Sequence, residues 1–293
     1  MFGECHAHLL MNARNYKEAV CRHKEQVCIA EIRASFGEYK KQGISFVRDG
    51  GDALHVSETA RKLAPEYGID YRTPLFAIHK EKHYGGIVGH AYRDLREFEN
   101  LVKQVQTQGG DFIKIMISGI MDFNVCGKLS EEPLPDEEIR ELVNIAHAYG
   151  FAVMVHANGA SAVRSAALAG ADSIEHGNYI DRDCIEVMAQ MGTVWVPTVV
   201  TISNLLRCAR YPKEAVEQIL QRAKDNLQYA WKCGVHLALG SDAGAYLVDH
   251  GQGLLDEYEI FCRIFGKTEE LDRRLTEGEG IIREKFCRNG RKL

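Results

Sequence analysis

Residues 4–10 read ECHAHLL. Two imidazoles, His6 and His8, stand two positions apart in a largely apolar run. On a strand, residues i and i+2 point to the same side, so both rings can face one point, such as a metal ion. Taken alone, the pair reads equally well as two unrelated histidines in a polar turn. What decides between these readings is whether partners recur at the ends of other strands.

Short apolar runs recur along the chain at 2–8, 44–50, 70–78, 111–119, 151–157, 173–177, 193–198 and 235–243. They are rich in Val, Ile and Phe. Several are nearly continuous apolar stretches, as parallel strands buried on both faces are. Amphipathic segments at 31–42, 53–67, 94–108, 136–149, 160–169, 181–191 and 213–233 read as helices. Pro135 followed by Asp136, Glu137 and Glu138 is a helix start with acids in the first turn. Gly43, Gly68, Gly109, Gly150, Gly170, Gly192 and Gly234 stand where helices end and strands follow, a position suited to the left-handed conformation. Eight β units with seven intervening helices predict an α/β fold, a (β/α)8 TIM barrel, ahead of a doubly wound open sheet. Residues 1–293 read as a single barrel, with a charged helical tail at 266–293 that ends in the basic RNGRKL.

Composition is that of an ordinary globular protein: 45% hydrophobic, 26% charged, net charge −5. No basic patch suggests nucleic acid or an anionic membrane surface. There is no apolar run of the length a membrane span needs, and no basic segment followed by an apolar stretch marks a secretory signal. Nine scattered cysteines without a CxxC point to reduced thiols and a cytoplasmic location.

In a (β/α)8 barrel the functional groups gather at the C-terminal ends of the strands. Those ends carry His6 and His8, Lys114, His156, His176 and Asp242. Each has a plain reading alone: a surface histidine, a turn aspartate, a lysine reaching to solvent. A lysine between Ile113 and Ile115 in a buried strand is costly, however, unless its amine is used. Four imidazoles, a carboxylate and a lysine at one mouth make a metal site by residue type.

The motifs HAH on the first strand, IKIMISG on the fourth, VHANG on the fifth, IEHGN on the sixth and LGSDAG on the eighth resemble those of the amidohydrolase superfamily. They are most similar to its two-metal, prolidase-like and imidazolonepropionase-related members. The resemblance implies two divalent metal ions, zinc by expectation. His6, His8 and Asp242 would hold one, and His156 and His176 the other. Lys114, carboxylated on its amine, would bridge them. It further implies that a hydroxide between the metals attacks the carbonyl of a small amide, a dipeptide or an N-acyl amino acid. Asp242 would be the catalytic base and then acid.

The rivals are a mononuclear deaminase of the same superfamily, a lactone or phosphoester hydrolase, and a non-catalytic binding barrel. A deaminase would lack the lysine and carry a His-x-x-Glu pattern that VHANG does not show. A non-catalytic barrel would have lost ligands.

The partner expected is a small-molecule substrate. Tyr84, Ser118 and Asn178 are candidate substrate contacts, with His90, Asn158 and Thr198 as further ones. The glycine-rich loop 79–94 reads equally as a lid or as a solvated surface loop, and Arg48 and Asp49 as a structural ion pair. One departure from the family stands out: no segment reads as the usual accessory β-sandwich, so that either the sandwich is absent or the chain is a truncated form. That leaves the barrel bottom without an N-terminal plug and invites a homo-oligomer.

Overall fold

Side-chain alternation determines which residues of each apolar run line the interior and which meet the helices. The structure, a computed structural model, describes residues 1–287. Its strands are β1 (Glu4–Ala7), β2 (Phe46–Asp49), β3 (Asp70–Arg72), β4 (Ala77–Lys80), β5 (Gly89–Tyr92), β6 (Ile113–Met116), β7 (Val153–Ala157), β8 (Ser173–His176), β9 (Val194–Val196) and β10 (His236–Leu237). They pair in parallel in the orders β1-β2-β3 and β10-β9-β8-β7-β6-β4-β5.

The expected strand at 70–78 is split. β3 pairs with β2, whereas β4 pairs with β6. Asp111 N donates to Thr73 O at 2.9 Å across the break. At the opposite seam, Cys5 N donates to Leu239 O, Asp242 N to His6 O and His8 N to Ala243 O, at 2.8–3.0 Å. These bonds bring β10 and the segment after it against β1 and complete a (β/α)8 barrel.

The segment 79–94 is not an open loop. It contains β5, paired with β4. Gly89 lies so close to β4 that a Cβ there would stand 1.8 Å from Ala77 O. Only glycine permits that pairing.

The helices are α1 (Tyr16–Lys24), α2 (Ile29–Lys41), α3 (Val56–Leu63), α4 (Leu95–Gln108), α5 (Asp136–Ala148), α6 (Ala160–Leu168), α7 (Arg182–Met191), α8 (Val200–Ser203), α9 (Lys213–Cys233), α10 (Gln252–Phe265) and α11 (Glu269–Lys285). The seven glycines that end the expected helices all have φ between 67° and 89°. Asp94 and Asp181 cap α4 and α7 through the backbone N–H of Glu97 and Cys184. The stretch expected as one helix at 53–67 is α3 followed by a 3-10 turn, Ala64–Tyr67. The sequence reading missed α1, α8 and α10. In α10 a buried acid, Glu257, interrupts the apolar stripe. Its carboxylate accepts the backbone N–H of Val199 and Val200.

Outward residues such as Val47, Ile115, Val155, Ile174 and Trp195 pack against the helices in one continuous core. Cys5, Phe46, Phe112, Met154, Val194 and Val196 form a second, interior cluster, closed below by Ile282 of α11 and by Phe286. The tail therefore covers the bottom of the barrel. Its basic end, 288–293, lies outside the described residues. Among the described residues no further sheet lies beside the barrel, and no helix is long and apolar enough to cross a membrane.

Candidate metal centre

The strands that close the bottom with apolar side chains present polar ones higher up. Lys114 follows Phe112 on the inward face of β6, and His156 follows Met154 on that of β7. Lys114 pairs in register with Met154, and Met116 with His156. The end of β8 breaks this parity. Glu175 points inward by alternation, yet His176 reaches the mouth as well, because its φ is +69°. Thr198 and Asp242 also take left-handed values, 50° and 59°. A non-glycine residue held there carries strain of about 1–3 kcal/mol, tolerated where a side chain must be aimed.

The rings converge. Centroids of His6 and His176 lie 5.0 Å apart, those of His156 and His176 4.7 Å, and those of His6 and His8 5.4 Å. Asp242 Oδ1 is 3.5 Å from His6 Nε2 and 3.8 Å from His8 Nε2. Ligand atoms of His6, His8 and Asp242 lie within 4.8 Å of one another.

The outer ring nitrogens are taken. His6 Nδ1 hydrogen-bonds Glu175 at 2.7 Å, and His176 Nδ1 hydrogen-bonds Thr198 Oγ1 at 2.8 Å. His8 Nδ1 lies 3.4 Å from Gly51 O and His156 Nε2 3.3 Å from Gly119 O. A carbonyl only accepts, so in His8 and His156 these partners favour the proton on the outer nitrogen and leave the inner one with its lone pair. Gly50 is needed beneath His8, since a Cβ would stand 2.3 Å from that ring.

Burial dominates the electrostatics. It holds His8 and His156 at about 3, with the Lys114 charge acting in the same direction. His6 and His176 are also pushed well below the ordinary imidazole value, chiefly by burial. Burial lowers Lys114 to about 8 and raises Asp242 to about 8. Lys114 Nζ and His6 Nε2 are buried without a hydrogen-bond partner. Neutral imidazoles gathered with a buried amine that has no hydrogen-bond partner and a carboxyl make a donor set suited to a divalent cation. Nitrogen and oxygen donors of this kind suit zinc and related divalent ions. A protonated amine is no ligand, whereas its carbamate would be anionic. The residues fit a metal site.

Above the ligands lies a pocket of about 180 Å³ lined by His156, His176, Asp242, Asn158, Asn178 and aromatic side chains. Tyr84 is part of it, 36% exposed, with its ring 5.2 Å from that of His156. Its backbone N–H donates to Glu131 at 2.7 Å and fastens its loop to the one after β6.

Other expected contacts lie elsewhere. Ser118 is buried outside the pocket lining; its hydroxyl accepts Asn158 N at 2.8 Å and donates to Gly119 O. His90 meets Phe76 edge-to-face, with centroids 4.5 Å apart, and is not part of the pocket lining. Thr198 serves His176 rather than the lining. Arg48 and Asp49 are not a pair, because successive strand residues point to opposite sides. Arg48 binds Glu175, while Asp49 accepts Leu9 N, Gly51 N and Ser57 Oγ.

The sequence reading missed Phe123, Tyr211 and Tyr246 in the lining, for which no local pattern offered a signal. It also missed Glu175, a lone acid on the inward parity of an apolar strand, which alternation alone would have found.

Residues 4–261 match the profile of a family described as "Amidohydrolase family". An uncharacterized protein of Mycobacterium tuberculosis (strain ATCC 25618 / H37Rv) is 32% identical over 135 residues, 44% of this chain and 36% of that protein. Ochratoxinase of Aspergillus niger is 29% identical over 159 residues, 50% of this chain and 32% of that protein. The matched stretches thus span about a third of each relative's length. Among solved structures, a Xaa-Pro dipeptidase with bound methionine superposes with a TM-score of 0.76 at 21% identity, over 97% of this chain and 75% of that one. The A. niger ochratoxinase structure gives 0.74 at 20% identity, over 92% and 68%. At these identities the structural likeness concerns the barrel.

Proposed function

The chain belongs to the amidohydrolase family, and from that premise we propose that it is a metal-dependent hydrolase of amide C–N bonds. The observation that carries the proposal is the convergence of His6, His8, His156, His176 and Asp242 around the buried, unpartnered amine of Lys114. His6, His8 and Asp242 would hold one divalent ion, zinc by donor type, and His156 and His176 a second. Lys114 as its carbamate would lie between them. Bound there, the metals would supply an acidified water and a Lewis acid for the substrate carbonyl.

Asp242 keeps 16% of its side chain exposed toward the pocket. It accepts the proton of the attacking water and returns it to the leaving nitrogen. Tyr84, Asn158 and Asn178 border the space where the substrate would lie, and the aromatic side chains exclude water from it. Dipeptides and N-acyl amino acids are the first substrates to try. The dipeptidase and ochratoxinase relatives support that choice by name. All nine cysteines are unpaired, which fits a reducing compartment such as the cytoplasm.

The test is metal content per chain in protein purified without chelator, beside Lys114→Ala. About two ions per chain, falling in the variant, is the expected result. A single ion indifferent to the mutation would point to the mononuclear deaminase branch, and no uptake would end the metal reading.

A further inference from the structure

Beneath the mouth lies a buried ionic layer for which the proposed chemistry has no role. Arg48 of β2 and Glu175 of β8 are both wholly buried. Arg48 donates through Nη2 to Glu175 Oε1 at 2.8 Å, through Nη1 to Ser173 Oγ at 2.8 Å and through Nε to Cys5 O at 2.6 Å. Its guanidinium also sits over the Phe286 ring, 4.4 Å from the centroid. Ser173 Oγ donates to Glu175 Oε1 at 2.5 Å. The other oxygen, Oε2, receives His6 Nδ1 at 2.7 Å. One carboxylate therefore takes Arg48 and Ser173 on one oxygen and His6 on the other, and neither oxygen can rotate away without breaking a charge-assisted bond.

We infer that Glu175, clamped by Arg48, is a positioning residue for His6. It keeps the ring proton on Nδ1 and turns Nε2, with its lone pair, toward Asp242 3.5 Å away. The consequence for metal affinity rests on the reading of His6 as a ligand; the tautomer does not. Residues in this role commonly carry about 10–100-fold of metal affinity.

The geometry makes a specific demand on Glu175→Gln. An amide has one accepting end and one donating end. Arg48 and His6 Nδ1–H both need an acceptor, and the charged guanidinium claims the oxygen. The amide NH₂ then faces His6 and donates to Nδ1, which moves the ring proton to Nε2 and removes the lone pair from the metal side. Adding Arg48→Met frees the amide oxygen for His6 and restores the original tautomer.

The experiment is ¹⁵N ring spectroscopy of histidine-labelled, chelator-treated protein, together with zinc competition against a chromophoric chelator. Expected are Nδ1–H at His6 in the wild type, Nε2–H in Glu175→Gln and Nδ1–H again in the double variant. Zinc affinity should fall about 10–100-fold in Glu175→Gln. An unchanged His6 tautomer in Glu175→Gln overturns the inference. If circular dichroism shows that this variant does not fold, Glu175→Asp replaces it. Aspartate keeps the charge beside Arg48 but withdraws from His6, and zinc affinity should drop by a similar factor; an unchanged affinity overturns the inference. A wild type that binds no zinc defeats the proposed function, while the tautomer measurement still decides the role of Glu175.

Discussion

The two ends of the barrel are built from the same strands and follow opposite rules. At the bottom, Phe46, Phe112, Met154 and Val194 meet Ile282 and Phe286 in a cluster of apolar side chains. Two residues further along, the same strands present Arg48, Lys114 and His156, all buried. At the strand ends around the mouth His176, Thr198 and Asp242 sit in the left-handed region, and Lys114 Nζ and His6 Nε2 are buried without hydrogen-bond partners. The bottom is packed as a core should be. The mouth holds buried polar groups and backbone strain that a core would not tolerate without a use. The difference teaches that one end carries stability and the other gives some of it up for chemistry.

Three substitutions can break or sharpen this contrast. Asp242→Asn should have the largest effect, a fall in kcat of about 10²–10⁴ on any amide substrate found, with little change in unfolding. Steady-state kinetics would check it, and near-normal turnover would remove Asp242 from its assigned role. Phe112→Ala, at a fully buried position, should cost about 3–5 kcal/mol of stability. Denaturant unfolding would read that loss, and metal bound per folded chain should not move. Lys114→Met should act in the opposite sense to Phe112→Ala. Replacing an unpartnered buried amine by an apolar chain should stabilise the metal-free protein by about 1–3 kcal/mol, seen as a raised thermal midpoint, while metal binding is lost. A destabilised Lys114→Met would show that the amine has a structural partner and that the contrast is overdrawn.

Much of the barrel was legible because its signals are local. Glycine ends the helices at positions 43, 68, 109, 150, 170, 192 and 234 whatever lies across the fold, since the left-handed turn is a property of one residue. The strands show as apolar runs because both of their faces are buried. Less legible was anything that depends on which face a side chain takes. Arg48 and Asp49 looked like neighbours in an ion pair, yet alternation sends them to different partners. Ser118 stood past a strand end like a pocket residue, but its hydroxyl holds the backbone of Asn158. The segment 79–94 looked open because its glycines hide a strand whose close approach to β4 requires one of them.

The sequence by itself determined the succession of strands and helices and the polar residues at the strand ends, because both are written in residue type and spacing. The IEHGN motif had grouped His176 with the other ligands, but only the tertiary structure showed how it reaches His156 and His6 against its parity, through a left-handed backbone. It alone gathered Tyr84, Phe123, Tyr211 and Tyr246 around one pocket from separate loops, and it alone joined Arg48 to His6 through Glu175. These contacts join residues far apart in the chain. The physical reason is barrel closure, which brings distant strands within hydrogen-bonding distance across a shared interior.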